Sequence, residues 1–294
     1  MARVGRNWAV RGIAGAIALL VPAGCAEPGL LDPAGPVARG ERAMFFNATV
    51  IMLMIIVPII VLTLYFAWRY SADDPKGRYA PDWSYSGRLE LLVWSIPALV
   101  IVFLGGIAWI GSHELEPSRP LRSERPTMEV QAISLDWKWL FIYPEQGVAS
   151  VNHLVLPVGT PVRFRITSAT VMNSFIVPRL GSQMYAMAGM DGKLHLLADE
   201  PGRYRGLSAH YSGEGFSEMM FFADAVPPDR FAAWVARTRA AGPVLDAPAY
   251  LRMERTAATS KPYTFRAVQP GLYEAALRHS GTDAREQARE GRED

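Results

Sequence analysis

The sequence predicts a two-helix transmembrane hairpin followed by an all-β sandwich domain, and three observations lead to that prediction. Both hydrophobic runs long enough to cross a bilayer lie before residue 113 of the 294-residue chain. The segment from about residue 127 to 226 alternates apolar and polar residues with the period of two that is typical of β-strands. Turn signals built on proline and glycine separate these short runs, as in sandwiches and Greek-key barrels.

The composition excludes several classes of function. The formal net charge is only +2, and no basic stripe is present, so we expect no nucleic-acid binding. The single cysteine, Cys25, excludes an internal disulfide and a CxxC-type metal or redox site. The sequence also lacks a nucleophile elbow, a phosphate-binding loop and a dinucleotide-binding motif.

Residues 1–24 predict a signal peptide, because three arginines precede an apolar run at 12–21 that is too short to cross a bilayer. Ala23 and Gly24 then precede Cys25, an order that resembles the lipobox of bacterial lipoproteins, although Pro22 replaces the usual leucine. We expect lipidation of Cys25, with plain signal cleavage or an unmodified cysteine as alternatives. Residues 25–42 would then form a periplasmic N-terminal segment.

Two transmembrane helices are predicted at residues 43–68 and 91–112. The first run holds 26 uncharged residues and the second holds 22. As an α-helix the first would measure about 39 Å at ~1.5 Å per residue, which exceeds a hydrocarbon core of roughly 30 Å. Aromatic residues near the ends of the runs are typical of a membrane interface: they are Trp68, Tyr70, Trp94 and Trp109.

The link between the two predicted helices, residues 69–90, carries four basic residues: Arg69, Lys76, Arg78 and Arg88. The positive-inside rule places such a link in the cytoplasm. We therefore expect a protein of the bacterial inner membrane with two spans and with both termini in the periplasm. Residues 113–226 would form the periplasmic domain.

The clearest strand is the run in which Val162, Phe164 and Ile166 alternate with Arg163 and Arg165. Further strands are predicted at 127–135, 151–157, 193–198 and 218–224. The remaining residues, 227–294, are predicted as a C-terminal helix and a polar tail. The helix covers 228–240 with Phe231, Trp234 and Val235 on one face, and the charged end from Gly281 is expected to be disordered.

The side chains most suited to metal chemistry are histidine and methionine. None of the five histidines has a second histidine at metal-ligand spacing, and His195 is expected to be solvated on the polar face of a strand. Met184, Met187 and Met190 are three residues apart, and thioethers are ligands for Cu(I). Methionine more often fills gaps in a core, so we favour packing for all three.

Six segments of the chain point to a known family: LLDPAGP at 30–36, SYSGRLELLVWSIP at 84–97, HELEPSRPL at 113–121, DWKWLFIYPEQGVASVN at 136–152, VMNSFIVPRLGSQMYAMAGM at 171–190 and GLSAHYSGEGFSEMMF at 206–221. Together they resemble subunit II of the haem–copper terminal oxidases, with the closest match to the cytochrome bo-type ubiquinol oxidases. The resemblance covers roughly residues 25 to 245 and implies a two-helix anchor with a cupredoxin-like β domain.

The resemblance also implies a set of vacated copper positions. In cytochrome c oxidases this subunit holds a dinuclear copper centre through two histidines, two bridging cysteines, a glutamate carbonyl and a methionine. The corresponding positions here are Asn173 and Phe216 for the histidines, Ser208 and Ser212 for the cysteines, His210 for the glutamate, and Met219, the one retained ligand. Serine hydroxyls cannot replace soft thiolates, so we expect no metal in this chain. A weak mononuclear copper site at His210 and Met219 is the alternative to a plain surface histidine.

A domain without that copper has no acceptor for a water-soluble one-electron carrier, which favours a membrane-dissolved quinol as the reductant. The resemblance implies a non-catalytic subunit of a proton-pumping ubiquinol oxidase that reduces oxygen to water. Haems, copper and the site of ubiquinol oxidation would belong to subunit I, and the partners would be subunit I, the other oxidase subunits and membrane lipids. The alternatives are a cytochrome c oxidase subunit II and a free-standing copper-binding membrane lipoprotein.

Glu90 is the candidate residue for proton chemistry. It begins the second predicted helix on the cytoplasmic side, seven residues before Pro97. In the oxidase family, a glutamate at this place lies at the entrance of a proton channel into subunit I. The alternative is a structural role, because acidic side chains stabilise helix N-termini. Trp137 and Trp139, which match aromatic positions near the electron entrance of copper-bearing relatives, are expected to be core or subunit-contact residues.

Overall fold

The computed structural model describes residues 29–70, 82, 85–258 and 261–290, with side chains as far as residue 282. The predicted signal peptide, Cys25 and most of the link between the membrane helices lie outside the described residues. Within them, two long apolar helices precede a β-sandwich, which confirms the predicted fold class.

The two long helices are α1, Pro36–Arg69, and α2, Gly87–Glu114. Both are long and apolar enough to cross a membrane, and each contains one internal proline. Helix α1 begins seven residues before the predicted span, with a proline at the first helical position, where the missing N–H costs nothing. Its first turns extend beyond the apolar run because they pack on the β domain.

Helix α1 is fixed to the β domain by its first two turns. Val37 and Ala38 are buried, and the Ala38 N–H donates to the Leu180 carbonyl at 3.3 Å. The Glu41 carboxylate accepts a hydrogen bond from the Ser182 N–H at 2.7 Å. These contacts make the helix and the domain one packed unit at this end.

The membrane helices contact each other close to the β domain. A Cβ added to Gly40 would lie 2.6 Å from the Leu115 side chain, and one added to Gly111 would lie 2.5 Å from the Met44 sulfur. Farther along, the large apolar side chains of both helices are exposed, including Leu64, Ile101 and Val102. Such surfaces must be covered by lipid or by other membrane helices.

The β domain contains two main sheets. The strands are β1 Met128–Leu135, β2 Lys138–Tyr143, β3 Val148–Val151, β4 His153–Pro157, β5 Val162–Ser168, β6 Asn173–Ile176, β7 Gln183–Ala186, β8 Gly192–Leu196, β9 Gly202–Ser208, β10 Met220–Val226, β11 Val244–Leu245, β12 Tyr263–Phe265 and β13 Ala267–Val268. One sheet has the order β12-β3-β2-β1-β5-β8 and the other β4-β10-β9-β6-β7, while β11 and β13 form a separate pair. Three helices lie after β10 in the described part of the chain: α3 Pro228–Ala240, α4 Ala247–Arg255 and α5 Leu272–Glu290.

The sandwich interior is an aromatic core. The Phe175 and Phe221 rings stack at 5.2 Å between centroids, and the Trp139 ring meets Phe175 edge-on at 5.4 Å. Phe141 and Phe164 complete the cluster, and all five side chains are essentially buried. Aromatic pairs of this geometry contribute roughly 0.5–1.5 kcal/mol each beyond the area they bury.

A second core lies on the outer face of the six-stranded sheet. Ile133, Leu140 and Ile142 point away from the first core and pack with residues of the C-terminal region. Those residues include Tyr250 and Tyr273. Residues 243–258 and 261–282 thus form a small subdomain, the C-terminal cover, that hides one face of the sandwich.

Several sequence predictions are confirmed and others are corrected. Helix α3 covers the predicted range, with Phe231 and Val235 buried and Trp234 packed against the core. The expectation of disorder from Gly281 is wrong for residues 281–290, because helix α5 continues to Glu290, and residues 291–294 lie outside the described part of the chain. The sequence there is rich in Ala, Arg, Glu and Gln, which have high helix propensity. The predicted strand at 151–157 is split at Asn152, which has a φ of 52° and lets the chain pass from one sheet to the other.

Candidate functional site

The candidate site is one end of the sandwich, where the β9–β10 loop, the start of β6 and the β1–β2 turn meet. The loop, residues 209–219, contains a short 3₁₀ turn at Phe216–Glu218. Its base is closed by the Ser208 N–H, which donates to the Met219 carbonyl at 3.2 Å. The structure therefore brings the predicted site residues of β6 and β9 into one region.

Asn173 and Ser208 face each other at the base of the loop. The Ser208 hydroxyl donates to Asn173 Oδ1 at 2.9 Å, and both residues are almost completely buried. The Asn173 amide Nδ2 donates to the Val171 carbonyl at 3.3 Å. A hydroxyl and an amide thus bond to each other at the positions where the resemblance implies a cysteine and a histidine.

The other site residues have separate surroundings. The Ser212 hydroxyl lies 4.0 Å from the sulfur of Met219, whose side chain is buried. The Phe216 ring meets Tyr211 edge-on at 5.6 Å, and the half-buried His210 meets the exposed Tyr185 at 6.1 Å between ring centroids. His210 is therefore part of an aromatic contact on the loop surface.

The donor atoms at this end of the domain do not fit a dinuclear copper centre. The region offers an amide, two hydroxyls, one thioether and the single imidazole of His210 on the loop surface. A copper pair needs bridging thiolates and two imidazoles. In the part of the chain that the structure describes, no group of three or more His, Cys, Asp or Glu side chains is placed to hold a metal ion.

Trp137 supports the loop from the β1–β2 turn. It has a φ of 58°, and its half-buried indole lies so close to Gly215 that a Cβ there would be 2.3 Å from Trp137 Cδ2. This contact requires glycine at position 215, and sequence reasoning missed it; the paired glycines Gly213 and Gly215 were the available signal. Trp139 is a core residue, as expected.

The predicted surface position of His195 is wrong. His195 lies on β8 and is only 6% exposed. Its backbone N–H donates to the Pro117 carbonyl at 2.9 Å. Burial, with further contributions from Arg163 and Lys193, lowers the pKa of the imidazole. The side chain does point away from the sandwich core, but the segment that follows α2 covers this part of the sheet.

The three spaced methionines do not share one environment. Met184 packs against the first core, while Met190 is 57% exposed. The Met187 carbonyl accepts a hydrogen bond from the Thr167 hydroxyl at 3.1 Å. The contact of Met184 agrees with the packing role favoured from the sequence.

Glu90 lies in the first turn of α2, at the end of that helix away from the β domain. Its backbone N–H donates to the Ser86 carbonyl at 3.0 Å, and its residue is exposed. It is the acidic residue of the first helical turn. The carboxylate is thus free to meet solvent or another subunit at that edge of the membrane.

Comparisons with known proteins identify relatives of this chain. A family model described as the periplasmic domain of cytochrome c oxidase subunit II matches residues 145–226, within the sandwich. Cytochrome bo(3) ubiquinol oxidase subunit 2 of Pseudomonas aeruginosa is 48% identical over 254 residues, which cover 86% of this chain and 76% of the relative. Ubiquinol oxidase subunit 2 of Acetobacter aceti is 46% identical over 275 residues, covering 93% and 87%.

A solved structure, the periplasmic domain of subunit II of cytochrome oxidase from Bradyrhizobium japonicum, is 23% identical, covers 40% of this chain and 96% of its own, and has a TM-score of 0.38. Two membrane-type helices and a matched periplasmic domain indicate a protein of the bacterial inner membrane. Because relatives of 46% and 48% identity match most of its length, the chain belongs to the ubiquinol oxidase subunit 2 family of the haem–copper oxidases.

Proposed function

We propose that this chain is the non-catalytic subunit II of a proton-pumping oxidase that oxidises ubiquinol and reduces oxygen to water. Relatives named ubiquinol oxidase subunit 2 support this proposal over most of the chain. The haems, the copper and the site of quinol oxidation would lie in subunit I. The chain itself would hold no catalytic centre and would support assembly of the complex.

The hydrogen bond between Asn173 and Ser208 is the observation that carries the choice of reductant. It joins two groups that cannot bind copper tightly, at the base of the loop where a soluble electron carrier would need an acceptor. Without such an acceptor, electrons must reach the partner subunit from a donor dissolved in the membrane. A quinol is a donor of that kind.

The test is turnover of the purified complex with two reductants. We expect oxygen consumption with ubiquinol and none above background with a reduced soluble cytochrome c. Co-purification of haem with this chain on mild detergent extraction is the accompanying expectation. Fast turnover with the cytochrome would favour a cytochrome c oxidase subunit, and a haem-free chain that takes up copper would favour a free-standing copper lipoprotein.

We also propose a membrane orientation in which the link between α1 and α2 is cytoplasmic and both termini are periplasmic. The four basic residues of the link support this orientation through the positive-inside rule. The signal peptide and the lipid on Cys25 remain part of the proposal. The intact mass of the mature chain tests both. Cleavage before Cys25 lowers the mass by that of residues 1–24, and acylation raises it by the mass of the attached acyl groups.

Glu90 is proposed to collect protons for the complex on the cytoplasmic side. Its carboxylate is exposed at a membrane edge, in the first turn of a helix whose other end joins the periplasmic domain. Ionisable groups at such a place can exchange protons with water and pass them inward.

The variant Glu90→Gln tests this proposal. We expect slower ubiquinol oxidation and slower proton uptake at an unchanged ratio of haem to subunit II, because the amide cannot carry a proton. Glu124→Gln, which removes an exposed carboxylate beyond α2, is the control and should match the wild type. Equal turnover of the two variants would leave Glu90 with only a structural role at the helix end.

A further inference from the structure

Two adjoining cavities lie where the membrane helices meet the β domain. The first, of about 380 Å³, is polar, and its lining includes Glu114, Glu116, Arg119, Arg122, Ser182 and His195. The second, of about 280 Å³, is a crevice between α1 and α2 whose lining includes Gly40, Ala43, Met44, Asn47, Ile107 and Ile110. Glu114 and Leu115 line both cavities, so the polar cavity opens directly above the apolar crevice.

The sequence of α2 shows at which depth in the membrane the two cavities lie. On this helix, the crevice extends down to Ile107 and Ile110 in the apolar run, whereas the polar cavity is lined only by residues that follow the run, from Glu114 onward. The Trp109 side chain, 69% exposed, contacts the His113 ring at a tilt beside this boundary, with 4.4 Å between the ring centroids. Aromatic side chains are enriched at such membrane interfaces. The polar cavity therefore lies at the level of the lipid headgroups on the side of the β domain.

Two cationic and two anionic side chains line the polar cavity. Arg119 uses one guanidinium nitrogen to donate to the His113 carbonyl at 3.2 Å, which leaves its other N–H groups available. Arg122 is exposed and has no ion-pair partner among the described residues. Glu116 accepts from the Ser118 hydroxyl at 2.6 Å, and Glu114 is exposed. Two cations and two anions at one cavity suit a ligand that carries both charges.

We propose that these cavities form a binding site for a zwitterionic phospholipid with an ethanolamine headgroup. The guanidinium groups of Arg119 and Arg122 bind the lipid phosphate, for which their planar N–H groups are well suited. The carboxylates of Glu114 and Glu116 bind the ammonium group. One acyl chain lies in the crevice between α1 and α2.

This arrangement distinguishes ethanolamine lipids from the other common headgroups. An ethanolamine ammonium has three N–H donors for carboxylates, whereas a choline group has none. A glycerol headgroup leaves the lipid with a net negative charge and gives the two glutamates no cation to pair with. The volume of the polar cavity lies in the range of ordinary ligand sites.

The test is the lipid content of the purified full-length chain, together with whatever subunits accompany it, measured by native mass spectrometry. After delipidation, the protein is offered dioleoyl lipids with ethanolamine, choline or glycerol headgroups at equal concentration. We expect the wild type to retain one ethanolamine lipid in preference to the other two. Arg119→Gln/Arg122→Gln should lower its occupancy by about tenfold or more, since each hydrogen bond to a charged group is worth a factor of that order.

Two further variants separate the headgroup from the acyl chain. Glu114→Gln/Glu116→Gln should keep the lipid but lose the preference for ethanolamine over choline. Ala43→Leu, which fills the crevice, should lower the occupancy of all three lipids, while Ala67→Leu, the same change at the other end of α1, should have no effect. Arg230→Gln/Arg237→Gln on α3 is the matched control for removing two arginines.

The proposal does not depend on Glu90 or on the reductant, so it can fail while the proposed function stands. An ethanolamine occupancy that is unchanged in the Arg119/Arg122 double variant would overturn it. So would equal retention of all three lipids by the wild type, which would indicate nonspecific annular lipid. The absence of any retained lipid in the wild type would show that partner side chains fill the cavities instead.

Discussion

The two outer faces of the β-sandwich differ in what covers them. The C-terminal cover and the segment after α2 hide much of the six-stranded sheet, where Ile133 and His195 are buried. The five-stranded sheet carries exposed side chains on its outer face, among them Arg203 and Tyr185. Both faces belong to strands of one domain. The difference in exposure therefore comes from the segments outside the sandwich, namely the C-terminal cover and the segment after α2.

The comparison teaches where charged groups affect stability. On the covered face, Arg165 binds Asp191 and Glu274 at 2.9 Å each and stacks on Tyr273 at 4.6 Å. Burial lowers the pKa of its guanidinium, but the hydrogen bonds to Asp191 and Glu274 outweigh burial and raise it overall. The outer face of the five-stranded sheet, with Arg203 and Tyr185 exposed on it, is called the bare face below. There the Arg203 side chain is 62% exposed, and its Nε lies 3.7 Å from Asp224 Oδ1. The ion pairs of Arg165 should therefore contribute much more to the free energy of unfolding than the ion pair of Arg203.

The largest effect is expected for Arg165→Met. The variant leaves Asp191 and Glu274 without their cation and removes the ion pair that joins α5 to the sheet. We expect a loss of about 2–3 kcal/mol in the free energy of unfolding, less than for a fully buried pair because both carboxylates regain water. A fall of roughly 5–10 °C in Tm, measured on the full-length protein by circular dichroism, would correspond to it.

Arg163→Met is the matched control, since Arg163 points to the same face of the same strand. Its side chain is 47% exposed and pairs with Glu129, so its removal should cost less than about 1 kcal/mol. Equal losses for the two variants would mean that the C-terminal cover is held by its apolar core alone.

The next effect is the pH dependence of folding stability caused by His195. Its pKa is lowered in the folded protein, whereas the unfolded imidazole has the ordinary value of 6.5. As the pH falls below this value, the unfolded chain takes up a proton that the folded protein does not bind, so unfolding becomes easier. We expect the wild type to lose more stability between pH 7 and pH 5 than His195→Gln.

Measurement of Tm across that pH range checks this expectation. His210→Gln, which changes a histidine on the candidate loop, is the control and should follow the wild type. Parallel curves for the wild type and His195→Gln would contradict the lowered pKa and the cover formed by the segment at Pro117.

Sequence reasoning succeeded where one local pattern decides the structure. The apolar runs gave both membrane helices, and the alternation of Val162, Phe164 and Ile166 gave β5. The run of Lys138–Tyr143 was missed, because β2 is buried on both faces and does not alternate. Such a run cannot be distinguished by periodicity from other buried segments.

The candidate site was predictable only in part, for a similar reason. The resemblance identified Asn173, Ser208, Ser212 and Met219, and the structure places them in one region. The contact of Trp137 with Gly215 depends on a positive φ in a turn, which the sequence pattern does not reveal. The burial of His195 depends on a segment 78 residues away in sequence, and no local pattern encodes that contact.

The smallest effect is expected on the bare face, for Arg203→Gln. The Arg203 guanidinium lies 4.1 Å from the centre of the Phe222 ring, and an exposed contact of this kind is worth roughly 0.5–1 kcal/mol. We expect a change below about 1 kcal/mol, measured by the same thermal unfolding as for Arg165→Met. Arg203→Lys, which keeps the charge but loses the planar stacking group, should lie between the wild type and Arg203→Gln. A loss as large as that of Arg165→Met would show that this face is covered in the assembled protein, and the contrast between the two faces would then belong to the isolated chain alone.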